Sequence, residues 1–142
     1  MDASSETGYR KPLPEMEPEE KPFWESLRQH RMKIQHCEDC GKWCFLPRTM
    51  CPHCLSTKLE WKPVSGRGRI FATTTQHHPP SPAFAQDVPY NISLVELDEG
   101  VRMITNVIGC PVESIKIGMA VNVVYDDVTE DVTLAKFRPA GV

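Results

Sequence analysis

The chain has 142 residues, a formal net charge of −3, 25% charged residues and 40% hydrophobic residues. This composition is typical of one small globular domain, or of a small domain with a satellite. No apolar run approaches the roughly 18 residues of a membrane span, and acidic residues outnumber basic ones by 19 to 16, so a membrane helix and an extended basic patch are both excluded.

The N-terminal segment, MDASSETGYRKPLPEMEPEEKPF, is polar, acidic and rich in proline, and it contains no hydrophobic signal sequence. We therefore expect a cytoplasmic protein, in a reducing compartment where disulfide bonds do not persist. Residues 1–18 show no periodicity and are expected to be flexible or draped over another surface.

A helix is predicted in EEKPFWESLRQHRMKIQ, residues 19–35, which has acidic residues at its start and basic residues at its end. Phe23, Leu27 and His30 recur at helical spacing, with Trp24 beside them. Such a stripe packs on the protein's own body or docks into a groove of a partner protein. The sequence leaves both interpretations open.

Five of the six cysteines lie in CEDCGKWCFLPRTMCPHC, which begins at residue 37. Cys37 and Cys40 form one C-x-x-C pair, and Cys51 and Cys54 form a second pair ten residues later. This spacing is typical of a four-thiolate metal site. Because four protein ligands leave no open coordination position, we expect structural zinc, with an electron-transferring iron centre as the alternative.

The metal is expected to hold residues 35–64 together, because about thirty residues cannot bury a sufficient core. Strands are predicted on both sides of the cysteine pairs, at residues 33–35, 45–48 and 58–64. Cys44 is expected to be a small buried or half-exposed thiol, with a spare metal ligand as the alternative, and His53 is expected to be a surface residue.

From residue 65 onward the hydrophobic pattern changes to that of strands. Five segments have this pattern: GRGRIFATTTQHH, YNISLVELDEG, VRMITNVIG, AVNVVYDDV and TLAKFRPA. Five strands in about 75 residues, without room for crossover helices, predict a small antiparallel barrel, and a short turn at 113–116 matches the OB-fold order. The predicted fold is mainly β: an N-terminal region with a helix (1–34), a rubredoxin-like zinc ribbon (35–64) and a five-stranded OB-fold barrel (65–142).

The longest predicted loop, residues 76–90, contains the adjacent pair His77 and His78 and four of the chain's prolines. Adjacent residues of an extended chain point in opposite directions, so these imidazoles are not expected to bind one ion. A lid or partner contact around Phe84 is expected instead, because long loops often carry function. Cys110 has no evident base nearby and is predicted to be a buried, inert thiol.

A family resemblance is carried by FWESLRQHRMKIQHCEDCGKWCFLPRTMCPHC, VPYNISLVELDEGVRMITNVIGC, IKIGMAVNVVY and KFRPA, over roughly residues 22–139. With the order helix, ribbon and barrel, these segments resemble the zinc-ribbon OB-fold proteins that accompany thiolase-superfamily enzymes. The resemblance implies a non-catalytic subunit that binds a thiolase, an aldolase or a synthase of the thiolase superfamily. It also implies a hetero-oligomer that is built around a thiolase dimer. Such complexes form or cleave a carbon–carbon bond β to a CoA thioester. Benzoylsuccinyl-CoA thiolase and steroid side-chain aldolases are examples, and the motifs do not choose between them.

The resemblance also implies that zinc is the cofactor and that acyl-CoA or CoA is a ligand of the whole complex. No catalytic residue is expected in this chain. The residues expected at the partner surface or the substrate entrance are Phe23, Trp24, Leu27, His77, His78, Phe84, Tyr90 and Arg102.

The competing function is single-stranded nucleic-acid binding, which OB-fold barrels perform with a basic groove and stacking aromatic residues. Residues 65–142 carry nine acidic and six basic residues, a balance that opposes phosphate contact. Arg67, Arg69 and Arg102 suit a CoA phosphate at least as well as a nucleic-acid phosphate. The sequence therefore favours the subunit interpretation.

Overall fold

The computed structural model describes residues 11–141, so expectations for residues 1–10 and 142 lie outside the described part of the chain. Three 3₁₀ turns, at Pro18–Glu20, Pro82–Phe84 and Val112–Ser114, accompany the longer elements. Within the described range these are α1 (Lys21–Arg28), β1 (Lys33–Cys37), β2 (Trp43–Cys44), β3 (Leu59–Pro63), β4 (Arg67–Gln76), β5 (Tyr90–Leu97), β6 (Arg102–Thr105), β7 (Ala120–Asp127) and β8 (Thr133–Pro139). Across residues 11–141, no helix is long and apolar enough to cross a membrane.

The helix α1 is shorter than the sequence predicted. His30 adopts a left-handed φ of 56°, and its N–H donates to the carbonyl of Leu27, which ends the helix before β1 begins. Phe23 and Leu27 are buried in the core, whereas His30 lies beyond the helix and contacts Asp127 of β7. The apolar face of α1 therefore packs on the protein's own body.

The ribbon is a three-stranded antiparallel sheet in the order β2-β1-β3. The strand predicted at residues 45–48 is replaced by β2, which lies just before it. The side-chain amide of Gln35 donates to the carbonyl of Arg48 at 2.8 Å and accepts from its N–H at 2.7 Å. The last residue of this segment is thus held by a side chain instead of by a ladder of backbone hydrogen bonds.

The barrel is a curled, five-stranded antiparallel sheet in the order β6-β5-β4-β7-β8, which confirms the predicted OB-fold. Its edges meet where Val107 forms a parallel bridge with Phe137. At that point the N–H of Ile108 donates to the carbonyl of Phe137 at 2.8 Å, and the N–H of Phe137 donates to the carbonyl of Asn106 at 3.0 Å. The turn Val112–Ser114 occupies the predicted position between the third and fourth barrel strands.

Two glycines allow β4 to run close to its neighbours. Gly66 has a φ of +76°, and a side chain there would collide with Val123 on β7. A Cβ at Gly68 would lie 2.5 Å from the carbonyl oxygen of Glu96 on β5. A bulge between Ile70 and Ala72 bends β4, which pairs with β5 on one side and with β7 on the other.

One hydrophobic core joins all three predicted regions. Buried side chains of α1, β1 and the barrel strands form a single cluster around Phe137, which is 0% exposed. Ile34 on β1 belongs to this cluster, whereas Cys37 at the end of the same strand belongs to a second, smaller cluster of thiols. The base of the ribbon is therefore part of the barrel core, and its tip is not.

Candidate functional site

Two similar turns position the four cysteines of the C-x-x-C pairs. In the first turn, the N–H of Gly41 donates to the carbonyl of Cys37 at 2.9 Å, and Gly41 has a φ of 77°. In the second, the N–H of Leu55 donates to the carbonyl of Cys51 at 2.9 Å, and Leu55 has a φ of 67°. Each turn reverses the chain and brings both of its sulfurs to the same side.

The sulfur atoms of Cys37, Cys40, Cys51 and Cys54 all lie within 4.8 Å of one another. The distance is 3.5 Å between the Sγ atoms of Cys37 and Cys54, and 3.7 Å between those of Cys40 and Cys51. A tetrahedron with zinc–sulfur bonds of about 2.3 Å has edges of about 3.8 Å. The four thiols therefore fit a tetrahedral zinc ion.

Backbone N–H groups favour the thiolate form at the two buried sulfurs. The N–H of Cys40 points at the sulfur of Cys37 from 3.4 Å and lowers the pKa of that thiol. Burial raises the pKa of Cys51, but the N–H groups of Cys54 and His53 outweigh it and bring the value to about 6. The second thiol of each pair behaves in the opposite way. A backbone N–H group also lowers the pKa there, but burial and hydrogen bonds with the neighbouring thiols outweigh it, and they raise the pKa of Cys40 and raise the pKa of Cys54 to about 12. One sulfur of each turn therefore favours the thiolate, which is the form that binds metal.

The remaining cysteines lie outside this tetrad. Cys44 is buried beside it, and burial raises the pKa of the Cys44 thiol to about 11, which suits a spectator thiol. Cys110 was predicted to be buried, but it is only partly buried: it packs against the hydrophobic core on one side and lines a cavity on the other. His53 is exposed, as expected.

His77 and His78 are both exposed at the start of the loop that joins β4 to β5. The side-chain amide of Gln76 donates to the carbonyl of His78, which fixes the backbone there. Within residues 11–141, the four cysteines form the one group of three or more metal-binding side chains close enough to share an ion, so the two imidazoles are not brought together with a third ligand.

The rest of this loop folds back onto the barrel. The rings of Phe84 and Tyr90 lie 5.9 Å apart, and Lys11 forms a 2.6 Å ion pair with Asp87. The first described residues of the chain therefore lie against this loop. Together they border a cavity of about 350 Å³, whose lining also includes Cys110.

The helix residues expected to contact a partner are placed differently from one another. Phe23 and Leu27 are buried, with Leu27 only 1% exposed, and both also line a groove at the surface. Their apolar faces are already used in the core of this chain. Trp24 is half-exposed, and its ring packs edge-on against Phe23 at 5.3 Å.

An open groove of about 560 Å³, which we call the apolar groove, lies between α1, the ribbon segment 45–47 and the barrel strands β5, β6 and β8. Its apolar lining includes Phe23, Leu27, Phe45, Leu46, Ile104 and Leu134. Sequence reasoning missed Leu46 and Ile104. For Ile104 a signal existed, because strand alternation places Met103 and Thr105 inside and therefore Ile104 outside.

Arg102 lies at the edge of the apolar groove. Its guanidinium carbon is 3.7 Å from the centre of the Phe71 ring, and its Nε donates to a carboxylate oxygen of Glu96 at 2.9 Å. Arg67 pairs similarly with Asp98 at 3.3 Å. Carboxylates thus neutralise much of the positive spot predicted from the arginines.

Comparisons with known proteins agree with this architecture. Residues 24–60 match the family described as "ChsH2, rubredoxin-like zinc ribbon domain", and residues 61–126 match "ChsH2, C-terminal OB-fold domain". A DUF35 domain-containing scaffold protein of Methanocaldococcus jannaschii is 32% identical over 110 residues, which are 76% of this chain and 77% of that protein.

A probable enoyl-CoA hydratase alpha subunit of Thermomonospora curvata is 40% identical over 119 residues, or 83% of this chain. The chain spans only 37% of that subunit's length. Among solved structures, a chain of the Ltp2-ChsH2(DUF35) aldolase superposes with a TM-score of 0.82 and 36% identity, and the match covers 90% of this chain and 99% of that one.

Proposed function

Because the chain belongs to the DUF35 family of proteins with a ChsH2-type zinc ribbon and OB-fold, we propose that it is the non-catalytic subunit of a hetero-oligomeric acyl-CoA enzyme. Its partner is a catalytic subunit of the thiolase superfamily, and the complex forms or cleaves a carbon–carbon bond β to the thioester. The observation that carries this proposal is the likeness to a chain of the Ltp2-ChsH2(DUF35) aldolase, which extends over almost the whole of both chains.

In this proposal, Cys37, Cys40, Cys51 and Cys54 hold a structural zinc ion, and their sulfur separations support that assignment. Bound zinc would supply folding free energy to the ribbon. Because a coordination sphere of four thiolates leaves no position for water or substrate, the zinc would be structural and not catalytic. The nucleophile and the acid–base groups then come from the partner. The role of this chain is to dock and to shape the entrance for the acyl-CoA.

The loop between β4 and β5 is the part we assign to that entrance, with His77, His78, Phe84 and Tyr90. Contacts such as the Phe84–Tyr90 ring pair hold the loop in place before any ligand arrives, which lowers the entropy cost of binding. Arg102 lies nearer the apolar groove and is the candidate for a CoA phosphate, since guanidinium groups bind phosphate in a bidentate manner.

The test is an affinity pull-down of the tagged protein from its native cell extract, with mass spectrometry of the co-eluting chains at moderate salt. A stoichiometric thiolase-superfamily chain is expected. The reconstituted pair should turn over an acyl-CoA substrate, and this chain alone should not. Nucleic-acid-associated proteins that disappear after nuclease treatment, without any thiolase, would contradict the proposal and favour single-strand binding.

A second candidate rests on the 40% identity to the hydratase alpha subunit. In that case the catalytic partner is an enoyl-CoA hydratase, and the complex adds water across a double bond. The same pull-down distinguishes the two, because the co-eluting chain and its activity with an enoyl-CoA differ from those of a thiolase or aldolase.

A further inference from the structure

The loop between β4 and β5, residues 77–89, is folded on itself more than on the barrel. The N–H groups of Phe84 and Asp87 donate to carbonyls only three residues earlier, and the side chain of Gln76 donates to a carbonyl two residues later. Among residues 11–141, no hydrogen bond joins the backbone of this loop to a barrel strand beyond Gln76. A backbone ladder therefore does not hold the loop in place.

Lys11 fastens the loop from outside it. Its Nζ atom forms a 2.6 Å ion pair with Asp87 and lies 5.8 Å from the centre of the Phe84 ring. The two paired side chains are 29% and 39% exposed, so solvent and salt screen this pair less than a fully exposed one. Phe84 in turn packs on Tyr90 at the start of β5. The segment that begins at Lys11 is thus joined to the loop by one charged and one aromatic contact.

The cavity of about 350 Å³ lies between this loop and the rim of the barrel. Phe84 and Asp87 line it on the side of the loop, and residues 107–110 line it on the side of the barrel. Lys11 lines the same cavity, and so does the partly buried thiol of Cys110. The loop therefore covers a space that the barrel does not fill.

We infer that Lys11 is a clasp that holds the β4–β5 loop closed over this cavity, and that breaking its contacts with Asp87 and Phe84 opens the cavity to solvent. This inference rests on the proposed function only where that function makes the loop part of the acyl-CoA entrance. The clasp itself follows from contacts within this chain. It adds a closed state and an open state of the entrance, whose balance depends on one lysine.

The contacts that set this balance are individually weak. A partly exposed ion pair and a cation beside an aromatic ring each favour the closed loop by about two- to fivefold. Because salt screens exposed charges, a high ionic strength shifts the balance toward the open loop. The loop is therefore closed most of the time and opens without any change in the barrel.

Cys110 reports on the opening, because it lines the cavity and is not one of the four metal-binding thiols. The rate at which iodoacetamide alkylates Cys110 is measured by mass spectrometry in the full-length, zinc-loaded chain. When opening and closing are fast, this rate follows the population of the open state. We expect Lys11→Met, which keeps the apolar stem and removes the charge, to raise the rate by about fivefold or more. Lys116→Met, at an exposed lysine outside the cavity lining, should leave it unchanged.

Two further measurements separate the clasp from a general loss of stability. Lys11→Asp should raise the alkylation rate at least as much as Lys11→Met, and combining it with Asp87→Lys should bring the rate back toward that of the wild type. Raising the salt concentration from about 0.1 M to about 1 M should speed alkylation of the wild type and leave Lys11→Met unchanged. Unchanged zinc content and melting temperature show that the variants are folded.

Equal alkylation rates in the wild type and Lys11→Met would overturn the clasp, and so would a failure of the charge-swapped double variant to recover. The measurement uses the isolated chain, so its outcome does not depend on the catalytic subunit. If no catalytic subunit co-elutes in the pull-down, the proposed function fails, and the alkylation rates still decide whether the clasp exists.

Discussion

The tip of the ribbon and the barrel are stabilised in different ways. Among residues 11–141, the barrel cluster contains thirteen buried hydrophobic residues, including Ile70, Val95 and Phe137. At the ribbon tip the buried cluster consists of Cys37, Cys44 and Cys51, with Leu59 packed against it. Burial of apolar surface can therefore account for the barrel, whereas the tip depends on what its thiols bind.

The strand β1 connects the two regions, because Ile34 lies in the barrel core and Cys37 lies in the thiol cluster. Apolar burial therefore stabilises one end of this five-residue strand, and whatever the thiols bind stabilises the other end. A perturbation of one region should be felt in the other through this strand, through β3, which carries Leu59 at the thiol cluster and Trp61 at the barrel core, and through the contacts of Phe45 with α1. This difference can be tested from both sides.

The largest effect is expected for Cys51→Ser, which removes one of the four thiolates. Structural zinc supplies about 10–16 kcal/mol of apparent folding free energy in small modules, so the ribbon tip should unfold and the zinc content should fall toward zero. Assembly with the catalytic partner should be lost, while the barrel strands remain folded. Zinc analysis together with amide NMR spectra of the barrel residues measures both outcomes.

The matched control is Cys44→Ser, because Cys44 is buried beside the tetrad but is not one of its members. It should retain one zinc ion per chain. If Cys51→Ser still assembled with wild-type affinity, the ribbon would have no role in docking. If Cys44→Ser lost zinc as well, the assignment of ligands would be wrong.

On the side of the barrel, Phe137→Ala should lower the free energy of unfolding by about 3–5 kcal/mol. Phe137 is 0% exposed and lies at the closure of the sheet, so its removal leaves a cavity between β6, β8 and α1. Phe71→Ala is the control, because Phe71 is exposed. Denaturant unfolding of the two zinc-loaded variants measures the difference in unfolding free energy. Equal losses of unfolding free energy in both variants would contradict the placement of Phe137 in the core.

A smaller effect is expected for Asn91→Ala, which tests whether apolar burial alone holds the barrel. The side-chain oxygen of buried Asn91 accepts from the hydroxyl of Ser93 at 2.7 Å and from the N–H of Val107 at 3.0 Å. Leaving these donors unsatisfied should cost about 1–3 kcal/mol. Asn122→Ala, on the half-exposed side of β7, should change the unfolding free energy by less than about 0.5 kcal/mol.

The smallest effect is expected at Asp127, where the end of α1 meets the barrel. The hydroxyl of Thr133 and then the His30 imidazole lower the pKa of the Asp127 carboxyl below its ordinary value of 3.8. A depressed pKa adds stability above the unfolded value, and this stability is lost as the pH falls through the folded value.

Asp127→Asn should therefore melt at a lower temperature than the wild type near neutral pH, and the difference should shrink as the pH falls below 3.8. Melting curves of the zinc-loaded proteins across that range measure it. Asp131→Asn, at an exposed residue of the β7–β8 turn, should follow the wild type at every pH. A constant difference for Asp127→Asn would contradict the role of its charge.

The features that the sequence predicted are those set by local spacing. The C-x-x-C pairs predicted the thiol tetrad because a turn of four residues determines where both sulfurs point. Alternation along YNISLVEL predicted β5, whose residues Asn91, Ser93, Val95 and Leu97 are buried at every second position.

The features that the sequence did not predict depend on contacts between distant residues. The helix ends early at the left-handed residue His30, which also contacts Asp127 and Tyr125, nearly a hundred residues later, and the helical spacing of the sequence does not mark this end. The apolar groove combines Leu46 with Ile104, so neither residue predicts it alone. Cys110 is only partly buried because it follows the end of β6, and an apolar run does not say where along it burial ends.

The closure of the barrel at Val107 and Phe137 has a consequence for the order of events on the ribosome. The tip of the ribbon contains only local contacts and is complete once β3 has been made, at residue 63. By contrast, Phe23, Leu27 and Ile34 cannot be fully covered until residue 137 has emerged. Since N-terminal segments fold first during synthesis, the nascent chain should acquire its metal while these side chains are still exposed to solvent.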